Sequence, residues 1–373
     1  MTSIFIFISG ATLLVYSAER LIGSLVGISR GLAISVFLLA IIFTGIEFDD
    51  IVLGIALNLQ DNQDVALGLV IGTAVSFSGI VLALGAILAP TSFNVPREYI
   101  VVFALAPLIM LVFAVRKEVT IVDAVVLILL FVLWIVFVAV KESRRETPTF
   151  RNLEIVEEYE EGDEGEEEAA ERSHDDDAVR AQAADTMSLF RRQGRWSGWI
   201  NLGLAVIAIG GIIIGAATVS DGTDQILSRY SIEGTVFGAT VVTAVLTIED
   251  LFLTVRPIRL GVPEIGIGNV IGSLIFSVTG KLGIVVLAGG SVAIGSSVLK
   301  WHLPALFVLT GVAAVFMWNG NLKRWHGFVL LALYVTYWVV SYVVYGGAHD
   351  RRLTAPTAKA PTLAGFVRPT LAR

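Results

Sequence analysis

Cysteine is absent from the sequence, and charged residues make up only 16% of its 373 positions. The absence of cysteine excludes disulfide bonds, thiolate metal sites and cysteine nucleophiles. The scarcity of charge argues against a soluble domain, in which charged residues normally supply about 25% of the chain. There is also no G-x-x-x-x-G-K-[ST] loop, so we expect no bound nucleotide and no direct use of ATP. We expect neither nucleic acid as a partner nor a resident cofactor.

Hydrophobic residues form 55% of the chain, and they are grouped into long runs with few charges between them. A membrane-spanning helix needs about 20 mainly apolar residues, and these runs are long enough to cross a lipid bilayer. The sequence therefore predicts an all-α membrane protein with ten transmembrane helices. The predicted spans lie near residues 3–26, 31–59, 64–90, 99–116, 121–141, 197–218, 234–256, 265–289, 303–318 and 325–346.

A charged stretch divides the ten predicted spans into two sets of five. We predict a first repeat at 1–141, an acidic loop at 142–195, a second repeat at 196–346 and a flexible tail at 347–373. The loop is dense in Asp and Glu, a composition typical of solvated, disordered segments. A weak regulatory tether that binds cations is the alternative interpretation of the loop.

Basic residues near the span ends indicate the orientation, because loops rich in Lys and Arg stay on the cytoplasmic side. Lys141, Arg144 and Arg145 follow span five, and Arg191 and Arg192 precede span six. This pattern predicts a multi-pass protein of the plasma membrane, with the central loop in the cytoplasm and both termini outside.

The chain repeats itself at an offset of 200 residues without a gap. Asp50 matches Asp250, and the segments Gly68–Thr73 and Gly268–Ser273 also match. Each half contains five predicted spans, an odd number, so the second half must enter the membrane with the opposite polarity. Two inverted repeats are typical of secondary transporters, whose binding site lies near the bilayer midplane.

The repeated segments contain glycines four residues apart. This spacing lets helix backbones approach closely, so we predict a role in helix packing for these residues. The glycines are Gly68, Gly72, Gly268 and Gly272.

Five carboxylates lie within or close to the hydrocarbon in spans two and seven: Glu47, Asp49, Asp50, Glu249 and Asp250. Each charge at the centre of a membrane helix costs about 2.5–3.5 kcal/mol, and pairing with cations or partial protonation relieves that cost. Glu47 and Asp50 are three residues apart and share a helix face, whereas Asp49 points about 100° away from Asp50. We therefore expect Asp50 and Asp250 to face a cation pathway and to be its metal ligands.

Further oxygen atoms near these acids suit the same chemistry, because Ca²⁺, Na⁺ and Mg²⁺ prefer carboxylate, hydroxyl and carbonyl ligands. We predict that Glu47 and four hydroxyl side chains complete the cation site. The hydroxyl residues are Thr73, Thr247, Ser273 and Ser277.

Three charged residues are auxiliary candidates. Asp49 and Glu249 could line the rim of the pathway, pair with Arg256, Arg259 or Lys281, or lie at the water interface. For Lys281 two interpretations stay open. It is either a structural partner of Asp250 or Glu249, or its ammonium replaces one transported cation.

These segments resemble the α-repeats of the calcium/cation antiporter superfamily, which contains the sodium/calcium exchangers and their prokaryotic relatives. Gly68–Thr73 and Gly268–Ser273 look like the second motif of that family, Gly-Asn-x-x-Gly-Ser-Asn-x-x-Asn/Asp. The family spacing places its motif glutamate at Asp50 and Asp250. The resemblance implies ten helices in two inverted halves, and exchange of Ca²⁺ for Na⁺ or H⁺ through four acidic or amide ligands.

The sequence departs from the family pattern at several positions. The motif proline is replaced by Asp49 and Glu249, and the last Asn/Asp ligand is replaced by Phe77 and Ser277. A phenylalanine cannot ligate an ion, so Glu47 is the candidate to supply the oxygen that is missing at Phe77.

We expect a secondary-active cation antiporter rather than an enzyme, exchanging Ca²⁺ for Na⁺ or H⁺ by alternating access. The first two helices of each half would slide against a rigid remainder. One alternative is a non-transporting or differently selective membrane scaffold or sensor that keeps the exchanger fold. Another is an intramembrane hydrolase, since paired aspartates also occur in such enzymes.

Overall fold

The computed structural model describes residues 2–29, 47–143, 197–259 and 263–347, and these residues are almost entirely helical. The helices are α1 (Thr2–Ser29), α2 (Phe48–Leu59), α3 (Gln63–Leu88), α4 (Arg97–Ala114), α5 (Ile121–Ser143), α6 (Ser197–Tyr230), α7 (Gly234–Arg259), α8 (Pro263–Gly289), α9 (Val298–Met317) and α10 (Arg324–Tyr345).

Eight of these helices, α3 to α10, are long and apolar enough to cross a membrane. Helix α1 carries a shorter apolar segment, Thr2–Ala18, and α2 has 12 residues. The predicted helical membrane class is therefore confirmed. The count of ten spans stays a prediction, because residues 31–46 of the second span lie outside the described residues. So do Arg144, most of the predicted acidic loop and nearly all of the predicted tail.

Helix α6 is longer than the sequence predicted. The apolar run ends near residue 218, but the helix continues to Tyr230. Over this extension Asp221 and Asp224 are exposed on one face, while Thr223 and Ile226 are buried on the other. A pattern with polar residues outside and apolar residues inside continues the helix even where the average hydrophobicity falls.

Helices α3 and α8 correspond at the predicted offset, since they begin at Gln63 and Pro263. Each contains a five-residue π-helical turn, at Phe77–Val81 in α3 and at Ser277–Lys281 in α8. Such wide turns are rare and occur frequently at functional sites. The repeat therefore extends from the sequence into an irregular feature of the backbone.

Two short antiparallel sheets join the N-terminal and C-terminal parts of the chain. Strand β1 (Thr91–Ser92) pairs with β4 (Asn321–Leu322), and β2 (Glu118–Val119) pairs with β3 (Val292–Ala293). In chain order, α4 runs from the β1–β4 sheet to the β2–β3 sheet, and α9 runs from the β2–β3 sheet to the β1–β4 sheet. The two helices at corresponding places in the two halves therefore run in opposite directions.

The buried apolar side chains form two clusters. One contains residues of α3, α4, α8, α9 and α10, and the other is centred on α1 and α6 together with α2 and part of α7. Helix α3 contributes to both clusters, with Leu69 in the second and Val70 in the first. The acids of α2 therefore lie close to the boundary between two packed bodies.

Close contact between α3 and α7 depends on glycine. A Cβ added at Gly68 would lie 2.9 Å from the amide nitrogen of Ala239 and would also meet the carbonyl oxygen of Thr235. A Cβ at Gly72 would meet the hydroxyl of Thr243 and the backbone of Ala239. These two glycines thus pack α3 on α7. At Gly272 an added Cβ would meet no described atom within 4 Å, so its packing role, like that of Gly268, stays a prediction.

Candidate cation-binding site

Glu47 and Asp50 lie at the beginning of α2. Glu47 directly precedes the first helical residue, and Asp50 belongs to the first turn. Carboxylates in this position interact favourably with the N-terminal end of the helix dipole. Both side chains are buried, with 9% of Glu47 and 3% of Asp50 exposed. Glu47 precedes the helix, and its side chain and that of Asp50 both reach Lys281.

Lys281 pairs with both of these acids. Its Nζ contacts Glu47 Oε2 and Asp50 Oδ2, and its side chain has no exposed surface. The described ion pairs place Lys281 against Glu47 and Asp50, while its partnership with Asp250 or Glu249 stays a prediction. Lys281 is the last residue of the π-helical turn of α8. Removing one partner of a buried ion pair typically costs about 3–5 kcal/mol, because the other charge is left buried without compensation.

Thr73 contributes a hydroxyl to the same group of side chains. Its Oγ1 lies 2.8 Å from Asp50 Oδ2 and 2.9 Å from the carbonyl oxygen of Leu69. A hydroxyl has one proton, so it can donate fully to only one of these acceptors at a time. Thr73 can therefore donate to Asp50, or donate to Leu69 and turn a lone pair toward a cation.

Of the seven buried side-chain oxygen atoms that have no hydrogen-bond partner in the described part of the chain, three belong to the predicted cation site. These three are Glu47 Oε1, Thr247 Oγ1 and Ser277 Oγ. Ser277 lies one turn before Lys281, on the same face of α8. Buried polar atoms without a protein partner are uncommon, and an ordered water or an ion can be the partner.

Asp49 and the two acids of the second half are less buried than Glu47 and Asp50. Asp49, Glu249 and Asp250 have intermediate exposure. The Asp250 carboxylate lies within electrostatic range of Glu47, Asp50 and Lys281, and it makes no hydrogen bond or ion pair with a described residue. Within the described ranges, no group of three or more Asp, Glu or His side chains is arranged to hold one metal ion. The role of Asp50 and Asp250 as paired metal ligands stays a prediction.

Ser273 takes part in a polar connection between α8 and α7. Its hydroxyl lies 3.5 Å from Asn269 Oδ1, and Asn269 Nδ2 donates to Thr254 Oγ1 at 3.1 Å. Phe77 is fully buried and offers only carbon atoms at its position. The hydroxyl of Ser273 is thus engaged with Asn269, whereas that of its counterpart Thr73 reaches a carboxylate.

Sequence reasoning missed two residues next to the site. Asn58 Nδ2 donates to the carbonyl oxygens of Val285 at 2.9 Å and Gly290 at 3.3 Å, and so joins α2 to α8. The ring of Phe276 lies beside Lys281, with Nζ 5.9 Å from the ring centroid. An asparagine within an apolar run is a signal that could have been used for Asn58. Nothing in the sequence distinguishes Phe276 from other core aromatics.

The geometry combines buried carboxylates, hydroxyls and an ammonium inside a membrane-embedded repeat. The family described as "sodium/calcium exchanger protein" matches residues 2–140 and 200–343. The chain belongs to the sodium/calcium exchanger family. This membership confirms the resemblance seen in the sequence and the predicted class of function, a multi-pass membrane antiporter of cations. The exchanger family is a family of transporters, not of enzymes.

Individual relatives agree with this assignment. The exchanger is 25% identical to the inner membrane protein YrbG of Escherichia coli over 287 residues, which are 75% of this chain and 78% of that one. It is 29% identical to the sodium/calcium exchanger MaX1 of Methanosarcina acetivorans over 140 residues, 37% of this chain and 40% of the relative. The solved structure of the sodium-calcium exchanger NCX_Mj, soaked with Na⁺ and Ca²⁺, matches with a TM-score of 0.55 at 20% identity. That match covers 92% of this chain and 99% of the other, so the two proteins share the fold.

Proposed function

We propose that this protein is a secondary-active antiporter that exchanges Ca²⁺ for Na⁺ or H⁺ across the plasma membrane by alternating access. The observation that carries the proposal is the buried pair of Glu47 and Asp50 in α2, which lies beside the hydroxyl of Thr73 inside a membrane-embedded repeat. Acids within a membrane are rare and costly, and they typically mark ion pathways. MaX1, which is similar to part of this chain, is named as a sodium/calcium exchanger.

We propose further that the chain consists of two inverted five-helix repeats with ten spans. Three observations support this arrangement. Helices α3 and α8 match at an offset of 200 residues, including their π-helical turns. Strands β1 and β2 of the first half correspond in chain order to β3 and β4 of the second half. Each sheet therefore pairs the first strand of one half with the second strand of the other half. Helices α4 and α9 run in opposite directions between the two sheets.

In the proposed cycle, the cation is bound by oxygen atoms from both halves. Asp50 and Asp250 provide the central carboxylates, and Glu47, Thr73, Thr247, Ser273 and Ser277 supply the rest. Ca²⁺ takes six to eight oxygen ligands at about 2.3–2.6 Å, and Na⁺ accepts the same kinds of atom. The unpartnered oxygens of Glu47, Thr247 and Ser277 fit this demand. Competition between the two ions for the same carboxylates couples their movements.

The proposed orientation places the central loop in the cytoplasm and both termini outside. Lys141 at the end of α5, with Arg144, Arg145, Arg191 and Arg192 in the sequence beyond it, supports this orientation through the excess of basic residues on cytoplasmic loops. The E. coli relative YrbG is named as an inner membrane protein, which agrees with a plasma-membrane location.

The proposal is tested with purified protein in sealed vesicles. We expect uptake of calcium-45 when an outward Na⁺ gradient or an outward H⁺ gradient is imposed, and the active gradient identifies the coupling ion. Asp50→Asn and Asp250→Asn should each reduce the uptake at least tenfold, because each removes a proposed carboxylate ligand. If folded and inserted protein shows no uptake under either gradient, the hypothesis of Ca²⁺ antiport is rejected.

One observation favours a second candidate, a non-transporting or differently selective protein with the exchanger fold. Lys281 already neutralises part of the charge of Glu47 and Asp50, which a bound cation would otherwise do. This candidate predicts that Asp50→Asn and Asp250→Asn leave the Ca²⁺ dependence of the thermal unfolding midpoint unchanged. The antiporter predicts that both variants lose this dependence.

A further inference from the structure

Lys281 is the only lysine or arginine that is fully buried among the residues with described side chains. Its ammonium contacts one oxygen of Glu47 and one oxygen of Asp50. These three groups, when ionised, carry one positive and two negative charges. The ammonium therefore occupies the position in which a small cation would meet both carboxylates of α2.

Not all of the oxygen atoms around the ammonium have a hydrogen-bond partner, as a purely structural ion pair would require. Glu47 Oε1, the second oxygen of the same carboxylate, is buried without a partner, and so is Ser277 Oγ one turn away on α8. A structural pair evolved for stability normally satisfies the remaining lone pairs of its carboxylates, because unsatisfied buried atoms are costly. Oxygens left open beside an ammonium fit a larger coordination sphere that forms only when an ion is present.

We propose that Lys281 is a tethered counter-ion that holds Glu47 and Asp50 while no transported cation is bound. A cation must displace the ammonium in order to bind, so the two compete for the same oxygen atoms. This inference rests on the proposed function, since it assumes that the acids of α2 bind the transported ion. It adds that the affinity for that ion is set by an internal competitor and not by the ligands alone.

The structure offers the displaced ammonium two other neighbours. The face of Phe276 lies 5.9 Å from Nζ, within the range of a cation–π interaction. The carboxylate of Asp250 lies within electrostatic range and has no ion pair with a described residue. When a cation displaces the ammonium of Lys281 from Glu47 and Asp50, the ammonium can move toward Asp250 of α7 or Phe276 of α8. It then does not enter lipid as an isolated charge.

The test measures equilibrium binding of Ca²⁺, supplied as CaCl₂ in sodium-free buffer, to the full chain in detergent. Lys281→Met removes the charge at similar length, and Lys281→Gln removes it but keeps an amide donor for the carboxylates. Both variants should bind Ca²⁺ at least tenfold more tightly than the wild-type protein. Their unfolding midpoints should be lower than that of the wild type without Ca²⁺ and should rise more when Ca²⁺ is added.

Two controls separate the competition from other effects. Lys281→Arg keeps the positive charge and should bind Ca²⁺ within about threefold of the wild type. Lys141→Met removes a partly exposed lysine that pairs with Glu98 at 2.8 Å, far in sequence from the proposed site, and should leave Ca²⁺ affinity unchanged.

Each outcome bears on the inference. If both neutral variants bind Ca²⁺ with the wild-type affinity, Lys281 has only a structural role. The proposal that Lys281 is a counter-ion is then rejected, while the proposed function stands. If neither neutral variant folds even in the presence of Ca²⁺, a cation cannot replace the ammonium and the counter-ion is also rejected. If no protein, wild type included, binds Ca²⁺ or Na⁺, it is the proposed function that fails.

Discussion

At the residue scale, Thr73 is placed to respond to the occupancy of Asp50. Its hydroxyl lies within hydrogen-bond distance of both Asp50 Oδ2 and the carbonyl oxygen of Leu69. When Asp50 is paired only with Lys281, donation to the carboxylate is favoured. When a cation binds, the proton can rotate to Leu69 and the hydroxyl oxygen becomes a ligand.

We predict that Thr73→Val lowers the apparent affinity for Ca²⁺ at least tenfold, whereas Thr73→Ser keeps most of it. Valine has nearly the same shape but lacks the hydroxyl oxygen, which the proposed site uses as a cation ligand. Calcium-45 uptake at increasing Ca²⁺ concentration measures the effect. The matched control is Thr279→Val in the π-helical turn of α8, because the hydroxyl of Thr279 donates to the carbonyl oxygen of Ile275 in its own helix. Equal affinities for Thr73→Val and the wild type would exclude Thr73 from the site.

The residue scale also shows what the sequence could and could not supply. The grouping of Glu47 with Asp50 was predictable because the two residues are three positions apart, and both contact Lys281. The partner of these acids was not predictable in the same way, since Lys281 is 234 and 231 residues away along the chain. Such a contact depends on how the two halves pack, which does not follow from local periodicity.

At the element scale, the contact between α3 and α7 positions Thr73 and the acids around it. Gly68 and Gly72 lie on the face of α3 that meets the backbone of α7 near Thr235 and Ala239. The sequence predicted this role from the spacing of the two glycines. It did not identify α7 as the partner helix, because small residues at this spacing can pack against any neighbour.

We predict that Gly68→Ala destabilises the protein by about 1–3 kcal/mol, the usual cost of adding a methyl group to a well-packed interior. The added Cβ would meet backbone atoms of Thr235 and Ala239, which cannot move aside as a flexible side chain can. Thermal unfolding in detergent measures the change. Gly311→Ala in α9 is the control, because a Cβ there meets no described atom within 4 Å and alanine has the higher helix propensity. A Gly68→Ala protein as stable as the control would show that α3 and α7 need not approach so closely.

Helix boundaries give a second lesson at this scale. A hydropathy argument ends the sixth span near residue 218, whereas the structure extends α6 to Tyr230 because only one face of the extension is buried. Hydropathy averages over both faces, so it fails where a helix changes from an apolar surface to an amphipathic one. The centres of the spans were therefore predictable, but not all of their ends.

At the scale of the whole molecule, the arrangement of clusters and sheets suggests which parts move. The two sheets tie together the helices that follow α3 and α8, while α1 and α6 belong to a separate apolar cluster with α2. Alternating access by sliding of α1, α2, α6 and α7 requires α2 to move along α8. Gly54 of α2 contacts Val285 of α8, so this contact must change during the cycle.

Cysteine cross-links test this movement, because the chain has no native cysteine. In the variant Gly54→Cys with Val285→Cys, the two Cβ atoms would lie 3.9 Å apart, a separation that suits a disulfide. We expect oxidation to stop calcium-45 uptake and reduction to restore it, since the bond fixes α2 on α8. The control pair is Ser92→Cys with Asn321→Cys, which are opposite each other in the β1–β4 sheet within the proposed rigid body. Uptake that survives both cross-links would mean that α2 does not slide on α8, and uptake lost in both would mean that the sheets move as well.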